Sequence, residues 1–238
     1  MKNFFGILGG MGTMASETLV REINYLTPAD SDQDYLNYMV FNDAQIPDRT
    51  AYILDHTKPN PWFNLAGDVR QLNELGAQFI VMACNTAHYF LDQLKQISQM
   101  PILDMPALAV KACLKNAPRK KGLKIGILGT SGTLKTQIYQ NKVQTSKNKP
   151  ILPDISWQRK VMAFIYQDIK QKNLVEKKGY YRLLDYMLKT KSCDFVILGC
   201  TELSVAQKRK PYNSPQVIDA QNILAQKTVQ LAKKMQNK

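Results

Sequence analysis

Two cysteines stand at matched places in the sequence and could together move a proton. Each ends a short apolar run, FIVMAC at 79–84 and FVILGC at 195–200, and small polar residues follow Cys84 and Cys200 at once. Such a run predicts a buried strand that leads into a helix, whose free N–H groups bind anions and lower the pKa of a thiol. A thiolate on one face of a carbon and a thiol on the other could invert a stereocentre, because one removes the α-proton and the other returns a proton.

Inversion at Cα also needs donors that stabilise the negative charge developing on the α-carboxylate. Hydroxyl, amide and backbone N–H groups near the predicted strand ends can supply them. The candidates are Asn85, Thr86, Thr130, Thr133 and Thr201. Two cations are further candidates: Arg49, in a polar loop beyond a strand end, and Lys170, at the end of a predicted helix over 161–170. A guanidinium binds a carboxylate through paired hydrogen bonds, which makes Arg49 the stronger of the two.

The remaining thiols and the histidines give weaker signals. We expect Cys113 and Cys193 to be inert core residues, because a free cysteine usually behaves as a small hydrophobe. His88 lies four residues after Cys84 and could pair with it in a hydrolase, but no third group that would orient the histidine is evident. Four cysteines without a CxxC pair, and only two histidines, argue against a disulfide framework or a metal site and favour a reducing cytoplasm.

The candidate residues lie in a chain that alternates strands with helices. Short apolar runs predict strands at 4–8, 36–41, 79–83, 102–105, 124–128, 195–199 and 216–218. The longer segments between them carry apolar residues at the three-and-four spacing of amphipathic helices. This alternation predicts an α/β fold of βαβ units, with mainly parallel sheets and helices on both faces.

The two halves of the chain repeat each other. FFGILGGMGT at 4–13 matches KIGILGTSGT at 124–133, and the two cysteine runs match at nearly the same offset. The repeat predicts two pseudo-symmetric, doubly wound α/β lobes, the first over 1–117 and the second over 118–219. In open parallel sheets ligands bind at the carboxyl ends of the strands, so we expect the active site in the cleft between the lobes.

The net charge of +13 raises the question of a nucleic-acid partner. Lysines supply 25 of the 32 basic residues and are spread along the chain, and no nucleic-acid-binding motif accompanies them. A solvated lysine-rich surface is therefore the better interpretation. No apolar run approaches the roughly 18 residues of a membrane-spanning helix, so we expect no membrane partner either.

The glycine-rich turn after the first predicted strand suggests a second kind of ligand. Gly10, Gly12 and Ala15 satisfy the G-x-G-x-x-A pattern of dinucleotide-binding folds. However, no acidic residue ends the next predicted strand about 20 residues further on, as that fold requires. Close approach of the backbone to a small carboxylate is the better interpretation, and a nucleotide-dependent oxidoreductase remains an alternative.

Six motifs, in order and over nearly the whole chain, resemble those of the cofactor-independent aspartate racemases of the aspartate/glutamate racemase superfamily. They are GILGGMG from Gly6, QIPDRT from Gln45, MACNTAH from Met82, GTSGT from Gly129, IYQDIK from Ile165 and LGCTEL from Leu198. The resemblance implies two α/β lobes, a paired-cysteine mechanism without pyridoxal phosphate or another cofactor, and a homodimer. It also implies that the C-terminal helix, 220–236, packs on the first lobe.

The resemblance further implies roles for individual residues. Cys84 and Cys200 become the acid–base pair, while Arg49 and Lys170 match positions that recognise the side-chain carboxylate of aspartate. Glutamate racemases carry Asp-Ser in place of Gly10-Met11 and His in place of Glu202, which favours the aspartate branch. We also expect Met11 and Glu202 to contact the substrate.

These observations predict an isomerase that interconverts L- and D-aspartate through a thiolate and a thiol. A racemase of broader specificity, acting on glutamate or other amino acids, is the alternative within the same chemistry. A nucleotide-dependent oxidoreductase and a non-catalytic ligand-binding module are the alternatives from other classes. Binding that weakens steeply with salt would favour a nucleic-acid-binding module, and a thermal shift with a nicotinamide cofactor would favour the oxidoreductase.

Overall fold

The computed structural model describes residues 2–117 and 120–236, which form two compact units. Met1–Met105 and Gln221–Lys238 make up the first unit, and Pro106–Ala220 make up the second. The boundary predicted at residue 118 falls on Pro118 and Arg119, outside the described residues. The division into lobes over 1–117 and 118–219 therefore stays a prediction.

Strands and helices alternate through most of the described chain. The strands are β1 (Phe5–Gly9), β2 (Tyr38–Asn42), β3 (Ile80–Met82), β4 (Lys124–Gly129), β5 (Lys149–Ile151), β6 (Phe195–Gly199) and β7 (Val217–Asp219). The α-helices are α1 (Thr13–Leu26), α2 (Arg49–Leu54), α3 (Trp62–Glu74), α4 (Leu91–Ile97), α5 (Met105–Asn116), α6 (Ser131–Lys135), α7 (Gln140–Thr145), α8 (Ile155–Ala163), α9 (Lys177–Asp185), α10 (Thr201–Arg209) and α11 (Ala220–Gln236). Short 3₁₀-helices cover Asp32–Asp34 and Thr86–Phe90, and π-helical segments cover Phe164–Gln171 and Tyr186–Thr190.

The sheet of the first unit has the order β2-β1-β3, with every pairing parallel. Its central strand, β1, is buried along its whole length, as expected for a strand covered on both faces. The strand predicted at 102–105 is reduced to a single parallel bridge between Ile80 and Ile102. Met105 already begins α5, so this segment has no room for a longer strand.

The sheet of the second unit has the order β5-β4-β6-β7, again with every pairing parallel. Strand β5 was not predicted, because its three residues, Lys149 to Ile151, include Pro150 and only one large apolar side chain. A proline can stand there because β5 lies at the edge of the sheet, where one row of backbone donors needs no partner.

The two sheets repeat one topology. In each unit the first strand lies in the centre, between the second and the third. The bridge from Ile80 to Ile102 corresponds to the pairing of β6 with β7, in which Val196 lies beside Val217. The predicted α/β fold with parallel sheets is confirmed, and the internal repeat of the sequence is a repeat of strand order.

Equivalent glycines let a neighbouring element approach the central strand of each unit. A Cβ on Gly6 in β1 would lie 2.6 Å from Cδ1 of Leu72, on α3. A Cβ on Gly126 in β4 would lie 2.9 Å from Cε of Met187 and 3.0 Å from Sγ of Cys193. These contacts explain why both copies of the repeat contain glycine at this position.

The C-terminal helix α11 belongs to the first unit almost entirely. Asn222 Nδ2 donates to Glu22 Oε1 on α1 at 3.1 Å, and Lys233 Nζ donates to the carbonyl oxygen of Asp34 at 2.7 Å. Its apolar side chains Leu224, Ala225, Val229 and Ala232 are buried. The helix therefore completes the core of the unit that contains β1.

Candidate active site

Cys84 lies just past the carboxyl end of β3. The Ala83 N–H donates to the carbonyl oxygen of Leu8 at 2.8 Å, which extends the pairing with β1 up to the residue before the cysteine. Cys84 is buried, and Asn85 and Thr86, which follow it, are buried as well. Asn85 leads directly into the 3₁₀-helix Thr86–Phe90, so the thiol stands at a junction of strand and helix, as predicted.

The ring of His88 is hydrogen-bonded to backbone groups, and one of them is the carbonyl of Cys84. Nδ1 of His88 lies 2.9 Å from the carbonyl oxygen of Cys84, and the Met105 N–H donates to Nε2 at 3.1 Å. This pattern requires a neutral ring that carries its proton on Nδ1. Burial lowers the pKa of His88, which favours the same neutral form. Both ring nitrogens therefore have backbone partners, which speaks against the cysteine–histidine hydrolase.

The glycine-rich turn after β1 is held tightly against the loop after β2. Gly10 has a φ of +83°, and a Cβ there would lie 2.2 Å from the carbonyl oxygen of Asp43. Its N–H donates to Oγ of Ser16 on α1 at 3.0 Å. Only glycine fits this position, because a side chain would be excluded both by the backbone conformation and by the neighbouring carbonyl.

Arg49 joins the same two loops. Its Nη2 donates to the carbonyl oxygen of Met11 at 2.5 Å, and its Nη1 donates to those of Ile46 and Pro47 at 3.1 and 3.0 Å. The side chain is buried at the start of α2, whose first turn is capped by Asp48 through the Ala51 N–H. Arg49 therefore orders the carboxyl-end loops of the first unit. Contact of Arg49 or Met11 with substrate stays a prediction.

Cys200 stands at the matched place in the second unit and occupies the N-cap position of α10, where its side chain makes no capping hydrogen bond. Its Sγ donates to Oε2 of Glu202 at 2.8 Å, and Oε1 of the same carboxylate lies 3.4 Å from Nζ of Lys170. The Glu202 side chain is 5% exposed and that of Lys170 is 23% exposed. The three residues form a row of thiol, carboxylate and ammonium, buried at Cys200 and Glu202 and partly exposed at Lys170, which we call the Cys200 triad.

The pKa of the Cys200 thiol is raised by its surroundings. Burial of Cys200 is the largest cause, the negative charge of Glu202 adds to it, and Lys170 opposes both, so the pKa lies well above its ordinary value. The backbone N–H of Glu202, at the helix N-terminus, lowers the pKa of this thiol as expected, but it does not set the direction of the net shift. Desolvation and a carboxylate within hydrogen-bond distance outweigh the N–H groups of α10.

The predicted hydroxyl donors of the second unit also lie at strand ends. Oγ1 of Thr130 caps α6 by accepting the Thr133 N–H at 3.1 Å, and the two hydroxyls lie 3.2 Å apart. Oγ1 of Thr201 lies 3.4 Å from Oε2 of Glu202. Thr130, Thr133 and Thr201 are buried. The structure thus brings these residues to the carboxyl ends of β4 and β6, and their contact with substrate stays a prediction.

A cavity of about 500 Å³ opens in the second unit beside these strand ends. Ser131, Gln158, Met162 and Tyr166 contribute to its walls. Nε2 of Gln158 donates to the carbonyl oxygen of Gly129 at 2.9 Å, which places one wall at the end of β4. The volume lies within the range of small-molecule sites.

Cys113 and Cys193 have the character expected of core thiols. Both are buried and unpaired, and burial raises the pKa of Cys113 to about 12 and that of Cys193 to about 11. Neither thiol is suited to ionise near neutral pH. Within residues 2–117 and 120–236, no three metal-ligating side chains are grouped so as to hold an ion, and no helix is both long and apolar enough to span a membrane.

One buried carboxyl group near the site was not singled out from the sequence. Asp68 on α3 is 8% exposed, and burial together with the charge of Asp43 raises its pKa to about 6. Asp43 itself accepts from Asn64 Nδ2 at 2.9 Å, one turn earlier on α3. Its position in the sequence could have indicated that it is buried. Asp68 lies between Leu65 and Leu72, on the face of α3 that carries the buried leucines.

Comparison with known proteins shows which family this chain belongs to. The family model for Asp/Glu/hydantoin racemases matches residues 8–228. The broad specificity amino-acid racemase RacX of Bacillus subtilis (strain 168) is 28% identical over 94% of this chain and 96% of its own length. The aspartate racemase of Picrophilus torridus has a TM-score of 0.81 at 28% identity, covering 97% of this chain and 94% of that one. A glutamate racemase of Francisella tularensis shares the fold, with a TM-score of 0.67 at 17% identity over 99% of this chain and 83% of that one.

Fold and site together define a duplicated α/β protein with one thiol at a matched strand end in each unit. The chain belongs to the Asp/Glu/hydantoin racemase family and is an amino-acid racemase, an isomerase that acts on a small molecule. Membership of this family removes the support for a nucleotide-dependent oxidoreductase and for a non-catalytic binding module.

Proposed function

We propose that the enzyme interconverts L- and D-aspartate by proton transfer between two cysteines, without a cofactor. The observation that carries the proposal is the Cys200 triad, in which a buried thiol, a carboxylate and an ammonium lie at the end of β6. Cys84 lies just past the carboxyl end of the equivalent strand β3 and is the second acid–base group of the proposal. Both cysteines act on the same Cα, from opposite faces.

In the proposed reaction one cysteine is a thiolate and the other a thiol. The thiolate takes the proton from Cα, and the electron pair of the C–H bond moves into the α-carboxylate. The thiol then returns a proton to the opposite face of Cα, so the two cysteines exchange their protonation states in each turnover. N–H and hydroxyl donors at Asn85, Thr86, Thr130, Thr133 and Thr201 stabilise the charge that develops on the carboxylate.

The choice of aspartate rests on two cations close to the strand ends. Arg49 is buried beside the glycine-rich turn, and Lys170 lies beside Glu202. In the proposal both attract the side-chain carboxylate of the substrate, and the turn around Met11 shapes the pocket. The likeness to the aspartate racemase of Picrophilus torridus supports this choice.

A broader substrate range is the second candidate. The likeness to RacX, a broad specificity racemase that this chain matches over nearly its whole length, favours it. Initial rates of racemisation of L-aspartate, L-glutamate and L-alanine distinguish the two candidates. Aspartate specificity predicts a rate on aspartate at least tenfold above the other two, and comparable rates on all three would favour the broad enzyme.

Arg49→Ala tests the recognition of the side chain directly. Because Arg49 also holds the Met11 carbonyl, we expect some loss of kcat/KM on every substrate. Removal of a carboxylate partner adds a further loss on aspartate alone, about tenfold or more for a charged hydrogen bond. An equal loss on aspartate and alanine would remove Arg49 from side-chain recognition.

We also propose that the working enzyme is a homodimer in the cytoplasm. Four unpaired cysteines, two of them assigned to catalysis, suit a compartment that keeps thiols reduced. Light scattering on the purified protein tests the dimer, which predicts twice the mass of one 27.1 kDa chain.

A further inference from the structure

We propose that Glu202 is a positioning residue that keeps Cys200 in its thiol form in the substrate-free enzyme, with Lys170 limiting the strength of this effect. The inference rests on the proposed acid–base role of Cys200 and deepens it. It assigns Glu202 a task different from the substrate contact expected from the sequence. It also says which member of the cysteine pair carries the proton before the substrate binds.

The hydrogen-bond geometry requires a proton between Cys200 and Glu202. Sγ and Oε2 lie 2.8 Å apart, and the carboxylate is almost fully buried. If Cys200 were a thiolate, two negative charges would face each other at this distance in a medium that screens them poorly. If the proton sat on Glu202 instead, its charge attraction to Lys170 at Oε1 would be lost. The arrangement in which every group has a suitable partner is thiol, carboxylate and ammonium.

The groups that face Glu202 come from three parts of the second unit. Cys200 lies one residue before α10, Thr201 begins α10, and Lys170 comes from the π-helical segment Phe164–Gln171. The ring of Tyr166 in the same segment lies 5.0 Å from Nζ of Lys170, and Asp219 on β7 accepts from Ser204 on the next turn of α10. Lys170 is the positive charge that opposes Glu202, and together with the backbone N–H of Glu202 it lowers the pKa of Cys200.

This assignment orders the steps of the reaction. The resting enzyme has Cys200 as the acid and Cys84 as the base, so it is ready for the enantiomer whose Cα–H faces Cys84. The proton from Cα moves to Cys84, and the proton of Cys200 moves to Cα. After the product leaves, one proton must return from Cys84 to Cys200, and Glu202 favours that return because it destabilises the Cys200 thiolate.

The test is the rate at which iodoacetamide alkylates Cys200 in the enzyme without substrate, followed by peptide mass spectrometry across pH 6 to 10. Glu202→Gln removes the negative charge, so the pKa of Cys200 should fall. A fall of about one unit raises the thiolate fraction about tenfold. The thiolate of lower pKa is the weaker nucleophile, so the net rate should rise about threefold at a pH below both pKa values.

Lys170→Met should have the opposite effect. Loss of the ammonium raises the pKa of Cys200 and slows its alkylation about threefold at the same pH. Lys170 is partly exposed, so this variant tests the proposal even if Glu202→Gln does not fold. The matched control is Glu74→Gln, on the exposed end of α3, which should leave the rate unchanged. Cys113 and Cys193 in the same digests should stay unmodified as long as the protein is folded.

An unchanged or slower alkylation of Cys200 in Glu202→Gln, or a faster one in Lys170→Met, would overturn the proposal. If Glu202 only contacted the substrate, neither variant would alter alkylation without substrate. Because no substrate is present, the result does not depend on whether the enzyme racemises aspartate. Failure of this inference and failure of the proposed function are therefore separate results.

Discussion

The two proposed catalytic cysteines occupy equivalent strand ends but have different partners. His88 binds the backbone carbonyl of Cys84, whereas Glu202 binds the thiol of Cys200. The two matched cysteines of the duplication therefore have different surroundings. Such asymmetry suits a reaction in which one group must start as the base and the other as the acid.

Asp68 makes the stability of the protein depend on pH. Its folded-state pKa of about 6 lies above the value near 4 of an unfolded chain, so its contribution to stability is complete below pH 4 and is lost as the pH rises through 6. Asp68→Asn removes the cost of burying the charge. We expect the variant to gain up to about 3 kcal/mol over the wild type between pH 4 and pH 8.

Urea denaturation of Asp68→Asn and the wild type at pH 4, 6 and 8 measures this gain. Asp30→Asn, at an exposed position, is the control and should show a difference that stays flat with pH. A difference between Asp68→Asn and the wild type that does not change between pH 4 and pH 8 would show that the carboxyl group does not titrate as described.

The residues of the site were predictable to different degrees. The repeat in the sequence was enough to single out Cys84 and Cys200, because both end matched apolar runs. The pairing of Lys170 with Glu202 could not be predicted from the sequence, since the two residues lie 32 positions apart and meet only through tertiary packing. Asp68 was missed because burial, which sets its pKa, is a property of the folded chain.

Among the connecting elements, the turn from β1 to α1 depends most strictly on one residue type. Gly10→Ala would place a methyl group against the Asp43 carbonyl and would force a φ of +83° on an L-residue. The turn must then move away from the loop that Arg49 binds. We expect a loss of stability of at least about 2 kcal/mol and a loss of activity larger than the loss of stability alone explains.

Gly67→Ala is the matched control. Gly67 lies inside α3 with open space around its Cα, so an added methyl group should stabilise the helix by about 0.5 to 1 kcal/mol. Thermal unfolding and racemisation rates of both variants test the contrast. Equal Tm values for Gly10→Ala and the wild type would show that the turn tolerates a side chain.

Strands were predicted better than helix ends. Continuous apolar runs identified β1, β4 and β6, which are buried except at Lys124, the first residue of β4. In contrast, β5 was missed, and only a single bridge forms where a strand was predicted at 102–105. The predicted helix over 161–170 is α8 followed by a π-helical segment that carries Lys170. A π-helical segment has no signature in apolar spacing, yet such segments occur often at functional sites.

The whole molecule is a duplication in which each unit keeps its own parallel sheet. The second unit has a full fourth strand, β7, where the first has one bridge, and the first unit gains α11 from the end of the chain. The net charge of +13, which first suggested a nucleic-acid partner, accompanies the fold of an amino-acid racemase. Both units repeat the same strand order, and in each unit a cysteine follows the third strand.

The central claim is that Cys84 and Cys200 exchange protons with Cα of aspartate. The direct measurement is the incubation of L-aspartate in D₂O with purified protein and no added cofactor, followed by chiral chromatography and mass spectrometry. We predict equal amounts of the enantiomers at equilibrium, one deuterium at Cα of the D-aspartate formed, loss of both signals in Cys84→Ser and Cys200→Ser, and their retention in Cys113→Ser. L-Aspartate that stays optically pure with the wild type, or near-normal racemisation by both serine variants, would contradict the account.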